Sequence, residues 1–219
     1  MEVVLIVAGG IALVGLIVFG VHKFEKARTE QFQAVSDQLG LQFHPQGDPE
    51  VQNSIGHLRL FNQGHSRKTK NMICGQTEDV ELAIFGYRYT TGGGKNQQSH
   101  QQTVISFQSP HLALPEFELR PENLFHKIGQ AFGYKDVNFD SHPLFSKRFL
   151  LRGPNEVAVR DFFTPELIEF FEGQAGVSVE ASNNRLIYYR SRKRIKPAEV
   201  RSFMEEGFRI YGLLKQPSP

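Results

Sequence analysis

The hydrophobic pattern divides the chain into one apolar segment and a longer part of mixed polarity. Residues 3–21 carry no charged side chain. At 1.5 Å per residue they would span about 28 Å, close to the ~30 Å hydrocarbon core of a bilayer. A cleaved signal peptide would require a basic start and a small-residue cleavage motif, which this segment lacks. We therefore predict a transmembrane anchor over residues 1–22, in contact with the lipid bilayer through residues 3–21.

The charges beside this segment predict its orientation. Cationic residues follow the apolar run at Lys23, Lys26 and Arg28, and none precedes it. Because cationic flanks stay in the cytoplasm, we expect an inner-membrane protein with its N-terminus outside and its C-terminal domain in the cytoplasm. Small residues on one face of the segment are candidates for packing against a membrane-protein partner, since they let helix backbones approach closely. They are Ala8, Ala12 and Gly15.

Helical periodicity continues beyond the predicted anchor. Apolar residues recur at three- and four-residue steps from Phe24 to Leu39, which predicts a juxtamembrane amphipathic helix over residues 23–41. Gly40 suits the C-terminal cap of this helix. The remainder, residues 42–219, is predicted to be a soluble domain.

The first half of that domain has the pattern of strands. Short runs rich in β-branched and aromatic residues recur between turn residues. They cover residues 55–61, 72–77, 80–90, 103–107 and 117–119. The polar, glycine-rich stretch from Thr91 to Gln102 predicts a hairpin tip between the third and fourth runs.

Helical stripes dominate the second half. Four residues mark predicted helix starts, namely Pro121, Asn155, Thr164 and Pro197. Three further strands are expected at residues 148–151, 177–181 and 186–190, and the last two should form a hairpin. The sequence therefore predicts an α+β domain whose mainly antiparallel sheet comes from the first half and is covered by helices from the second. Two small subdomains that meet near residue 120 are the alternative.

Composition narrows the possible functions. The net charge of +2 is too small to favour a nucleic-acid binder. Cys74 is the only cysteine, which excludes an internal disulfide and a cysteine-based zinc site. With 19 Phe and no Trp, the core is expected to be rich in phenylalanine.

A basic run near the C-terminus is the strongest candidate for a binding surface. Its cations are Arg190, Arg192, Lys193, Arg194 and Lys196. Such a run attracts the anionic head groups of lipids. The preceding Tyr188 and Tyr189 would also suit single-stranded nucleic acid, although the charge balance argues against it. Residues 65–70 form a second basic stretch, and a solvated sheet edge is the structural alternative for both.

Two motifs resemble catalytic or cofactor-binding sequences without meeting their requirements. Gly92–Lys95 lacks the Ser or Thr and the following helix of a phosphate-binding loop. Asp136, Asp140 and His142 carry groups that bind divalent metals, but Asp residues in such a loop more often cap turns. We therefore predict neither a cofactor nor a metal site.

Several segments together resemble a family of proteins. They are the N-terminal anchor, the ELAIFGYRYTTGGGK strand and loop, the FELRPENLFHKIG segment and the block from His142 to Arg190. In these segments the chain is similar to uncharacterised bacterial single-pass membrane-anchored proteins of unknown function. The resemblance implies a bacterial inner membrane and brings no activity and no functional residue.

These observations favour a membrane-tethered adaptor or accessory subunit of a membrane protein complex, without enzymatic activity. A module that binds or senses anionic lipids is a second hypothesis. A membrane-associated enzyme of unknown reaction, which would use the region of Asp136, Asp140 and His142, is a third.

Overall fold

The computed structural model describes residues 2–122 and 134–215, with the backbone alone for residues 2–14. The helices are α1 (Glu2–Leu39), α2 (Pro49–Ile55), α3 (Arg59–Asn62), α4 (Pro143–Arg148), α5 (Glu156–Phe162), α6 (Pro165–Glu172) and α7 (Val200–Leu214). The strands are β1 (Gln42–His44), β2 (His65–Gln76), β3 (Glu81–Thr91), β4 (Gln98–Gln108), β5 (Leu114–Pro121), β6 (Phe149–Arg152), β7 (Val177–Asn183) and β8 (Arg185–Arg190).

One eight-stranded sheet organises the described chain. Its order is β1-β2-β3-β4-β8-β7-β5-β6, and each neighbouring pair is antiparallel. The predicted α+β class with an antiparallel sheet is therefore confirmed. The strands come from both halves of the chain, however, and β4 pairs with β8 through registers such as Ile105 with Tyr188. The prediction that the first half alone supplies the sheet is thus too narrow.

The N-terminal helix corrects another part of the fold prediction. α1 is continuous from Glu2 to Leu39, so no break separates a segment 1–22 from the helix predicted over 23–41. Among the described residues, no helix is long and apolar enough to cross a membrane. The prediction of a transmembrane helix, on which the bilayer contact of residues 3–21 depended, is therefore wrong for the described chain.

Local capping signals explain the starts of α2, α5 and α6. The Asn155 side chain accepts a hydrogen bond from Ala158 N at 3.1 Å, and Thr164 caps α6. Residues 55–61, predicted as a strand, instead end α2 and form α3. Asp48 caps α2 by accepting hydrogen bonds from two backbone N–H groups, and Pro49 follows at the first helical position. The helix predicted from Pro121 is not confirmed at its start, because Pro121 ends β5, and its remainder lies largely outside the described residues.

Both faces of the sheet are buried, each by a different set of helices. On one face, the core includes Phe32 of α1, Phe171 of α6 and Phe203 of α7. On the other, Leu60 of α3 packs in a second core with Phe85 and other residues of the central strands. Nine phenylalanine side chains in these two cores are at most 5% exposed, so the expected phenylalanine-rich core is present. They are Phe32, Phe85, Phe107, Phe117, Phe145, Phe149, Phe163, Phe171 and Phe203.

Candidate functional site

The second half of α1 is fixed against the sheet, whereas the part before it stands clear of the core. Phe32 and Ser36 are buried. Thr29 Oγ1 lies 2.9 Å from Asn71 Oδ1, and Arg28 Nη2 donates a hydrogen bond to the carbonyl of Ile195 at 2.7 Å. Val21, about two turns before Arg28, is 59% exposed. A cleft therefore separates the early turns of α1 from the sheet.

The sheet side of this cleft is cationic. Lys68 of β2 lies directly opposite Arg88 of β3, and Lys70 follows two residues later on the same strand. Like charges at directly opposed positions destabilise a sheet. Within the described residues, these three exposed side chains have no hydrogen-bond or ion-pair partner. Their charges are thus available to an anion.

We call this space the cationic cleft and define it by its charged and apolar lining. Its charged side chains are Glu25, Arg28, Lys68, Lys70, Arg88 and Arg194. Its apolar side chains on the helix are Ile17, Val18 and Val21. The volume of the cleft is about 670 Å³, which falls within the usual range of ligand sites. Five cations face one carboxylate, so the cleft has a strongly positive character.

The one carboxylate of the cleft is already engaged. Glu25 Oε1 accepts hydrogen bonds from both terminal nitrogens of Arg194, each at 3.0 Å. The guanidinium of Arg28 lies 4.7 Å from the ring centre of Phe32. Burial, and then the charge of Arg194, lower the pKa of Arg28. The cations of α1 and of the segment after β8 thus share a crowded, partly desolvated environment.

The basic run at residues 190–196 is not one continuous patch. Arg190 pairs with Glu206 at 2.5 Å and is directed towards α7. Arg192 Nε lies 3.3 Å from His100 Nδ1, and burial together with Arg192 lowers the pKa of His100. Of the five candidate cations, Arg194 lines the cationic cleft. Lys193 and Lys196 are exposed.

Three basic stretches that are far apart in the sequence meet at the cleft. Arg28 comes from the flank of the predicted anchor, Lys68 and Lys70 from residues 65–70, and Arg194 from residues 190–196. Arg88 adds a fourth source that the sequence analysis did not single out. Its signal was its position in the alternating pattern of β3, where it is exposed between buried Tyr87 and Tyr89.

Of the three candidate packing residues of the N-terminal segment, Gly15 is the one whose surroundings the structure describes. Ala8 and Ala12 belong to α1, but their side chains are outside the part of the chain that the structure describes. Gly15 is exposed, and a Cβ added there would meet no other atom within 4 Å. Within the described residues, Gly15 therefore faces open space.

The other motifs form no catalytic group in the described residues. Asp136 pairs with Arg152 at 2.7 Å, whereas Asp140 is exposed, and His142 Nδ1 lies 3.0 Å from Ser141 Oγ. No cluster of three or more metal-ligating side chains occurs in the described chain. The Gly92–Lys95 stretch lies in the tip of the β3–β4 hairpin, as predicted. The tip is shorter than the predicted stretch from Thr91 to Gln102, because β4 begins at Gln98.

A second polar cluster, which the sequence analysis missed, lies on the opposite face of the sheet. Glu118 of β5 is directly opposite Glu180 of β7. Arg59 donates a hydrogen bond to Glu118, while Leu60 N and the Tyr189 hydroxyl donate to Glu180 at 3.0 and 2.9 Å. Carboxylate and guanidinium groups therefore pair with one another beside a pocket of about 290 Å³. The sequence signal for this cluster was a carboxylate within a predicted strand, at Glu118 and again at Glu180.

Comparison with known proteins adds a fold relationship. No protein-family model and no curated protein matches the chain. The crystal structure of the mycobacterial trehalose monomycolate transport factor A, TtfA, matches with a TM-score of 0.58. The chain has a TtfA-like fold.

The TtfA match extends over nearly the whole of both molecules. It covers 88% of this chain and 98% of TtfA, at 12% sequence identity. At such low identity the similarity concerns the fold alone. The sheet and its helices therefore follow an architecture that a transport factor also uses.

Proposed function

We propose that this protein is a non-enzymatic accessory factor in lipid transport, and that it works at an anionic membrane surface beside a membrane-protein partner. The cationic cleft is the observation that carries the proposal. Five cations converge there from four segments, and three of them have no partner in the described chain. Anionic head groups attract such cations by about 1 kcal/mol for each residue close to the surface.

Two further observations support this function. TtfA, whose fold is similar, is a transport factor for trehalose monomycolate. Leu16, Ile17, Val18 and Phe19 on α1 are each more than half exposed, and exposed apolar groups of this size favour contact with a lipid or protein surface. The proposal sets the protein at the inner-membrane surface with its C-terminal domain in the cytoplasm, where the anionic leaflet would attract the cations of the cleft.

The test is sedimentation of the full-length protein with phosphatidylglycerol vesicles and with phosphatidylcholine vesicles, at low and high salt. We expect binding to the anionic vesicles that weakens as salt increases. Replacing Lys68, Lys70 and Arg88 together by Gln should abolish most of it. The matched control replaces three exposed cations elsewhere, Lys147, Arg201 and Lys215, by Gln.

The control carries the same change in net charge as the cleft variant. Equal losses in the two variants would show that binding depends on total charge and not on the cleft. Absence of binding to anionic vesicles by the wild-type protein would overturn the proposal.

The membrane-protein partner needs a separate measurement. Native mass spectrometry of the full chain, extracted from its own membrane in mild detergent, should show a complex of fixed stoichiometry with a membrane protein. A chain that is recovered alone or only with copies of itself would contradict an accessory role.

A further inference from the structure

The cationic cleft combines two surfaces that a single amphiphile would satisfy together. Unpartnered cations lie on its sheet side, and exposed apolar side chains lie on its helix side. We propose that the cleft binds one anionic lipid molecule, with its acidic head group on Lys68, Lys70 and Arg88, and that Glu25 competes with this head group for Arg194. The inference rests on the proposed function and adds the class of ligand that the protein would carry.

The arrangement of the cations favours a compact oxyanion. Lys68 and Arg88 are held directly opposite each other by the pairing of β2 with β3, so their repulsion is built into the sheet. A phosphate or carboxylate between them would remove that repulsion. Ammonium and guanidinium groups form strong charge-assisted hydrogen bonds with both kinds of oxyanion.

The helix side of the cleft favours a hydrocarbon chain. Ile17, Val18 and Val21 are 58%, 62% and 59% exposed although they line a cleft. A chain lying along them would remove apolar surface from water on both molecules. A volume of about 670 Å³ leaves room for a head group and part of a chain.

Glu25 is in a position to regulate this site. Among the side chains that line the cleft, it is the one carboxylate, and it holds Arg194 through hydrogen bonds of 3.0 to 3.2 Å. An anionic head group would compete with it for the same guanidinium. Arg28 and Thr29 would still hold α1 on the sheet if the ion pair opened, because their contacts do not involve Glu25 side-chain atoms.

The experiment measures binding of single amphiphiles to the full-length protein by isothermal titration calorimetry. The probes are lysophosphatidylglycerol below its micelle-forming concentration, lysophosphatidylcholine with the same chain, and glycerol phosphate without a chain. We expect one lysophosphatidylglycerol per chain, and affinities lower by about tenfold or more for the other two probes. Equal affinity for glycerol phosphate would overturn the lipid site in favour of a simple phosphate site.

Two variants separate the site from a general charge effect. Lys68→Gln with Arg88→Gln should weaken lysophosphatidylglycerol by about tenfold or more, because each loses a charge-assisted hydrogen bond, whereas Lys147→Gln with Arg201→Gln should not. Glu25→Gln should strengthen binding, a result that misfolding would not produce. Unchanged or weaker binding by Glu25→Gln would overturn the competition.

The failure of this inference differs from failure of the proposed function. Binding to anionic vesicles without binding to monomeric lysophosphatidylglycerol would overturn the single-lipid site and leave the membrane-surface function standing. Absence of binding to anionic vesicles and to monomeric lysophosphatidylglycerol would overturn this inference and the proposed function together.

Discussion

At the scale of single residues, a buried carboxyl group makes the fold sensitive to pH. Glu180 is 1% exposed and faces Glu118 on the neighbouring strand. Burial, and then the charge of Glu118, raise the pKa of Glu180 from its ordinary 4.5 to about 7, although hydrogen bonds from Leu60 and Tyr189 and the charge of Arg59 oppose the shift. The folded protein therefore retains a proton that the unfolded chain releases above its lower pKa.

We expect Glu180 to destabilise the fold progressively as the pH rises from about 4.5 to about 7. In this window the folded state binds one proton more than the unfolded state, so the free energy of unfolding falls by up to about 1.4 kcal/mol per pH unit. Glu180→Gln mimics the protonated side chain and removes this dependence. Its stability relative to the wild type should increase with pH in urea denaturation series.

The comparison between variants isolates this one carboxyl from the other titrating groups. Glu169→Gln, at an exposed position of α6, is the matched control. Its unfolding free energy should differ from that of the wild type by the same amount at each pH. The prediction would be contradicted if the difference in unfolding free energy between Glu180→Gln and the wild type stayed the same from pH 5 to pH 7, an interval of about two units.

At the scale of elements, the attachment of α1 depends on a small number of polar contacts. Thr29→Val removes the hydroxyl that lies 2.9 Å from Asn71 Oδ1 and leaves that buried amide without its partner from α1. We expect a loss of about 1–3 kcal/mol in stability and faster hydrogen exchange in α1 around this residue. Gln31→Val, which places the same side chain at an exposed position of α1, is the control. Equal exchange in both variants would show that the contact does not hold the helix.

The sequence predicts elements better than it predicts the site, for physical reasons that differ between the two. Capping at Asn155 and Thr164 is local, and both helices begin where those residues predict. Residues 55–61 are predicted as a strand because they form a short run between turn residues. The cap at Asp48, seven residues before Ile55, instead starts the helix α2 that ends at Ile55. The cationic cleft depends on the pairing of β2 with β3 and on the path of α1, neither of which a local pattern determines.

At the scale of the whole molecule, the pairing of β4 with β8 joins the two halves of the chain into one sheet. Residues 104–108 pair antiparallel with residues 185–189, so a strand from the first half of the chain lies beside a strand from the second half. The alternative of two subdomains that meet near residue 120 would leave a break in the sheet at this point. The continuous sheet predicts instead that the two halves unfold together.

Ile105→Ala tests this cooperativity at the junction. Ile105 is fully buried and lies opposite Ile84 on one side and Tyr188 on the other. The lost contacts and the resulting cavity should cost about 2–5 kcal/mol. Hydrogen exchange should show the same loss in peptides from β3 and from β7, because both strands unfold with the junction.

The control for this substitution is Val157→Ala, at a position 68% exposed on α5, which should leave both strands unchanged. A loss of protection confined to β3 or to β7 would contradict a single cooperative unit. The outcome also bears on function, because Lys68, Arg88 and Arg194 are held near one another only while β2, β3, β4 and the segment after β8 remain in one sheet. A fold that opened at the junction would separate these cations and lose the cleft before it lost either half.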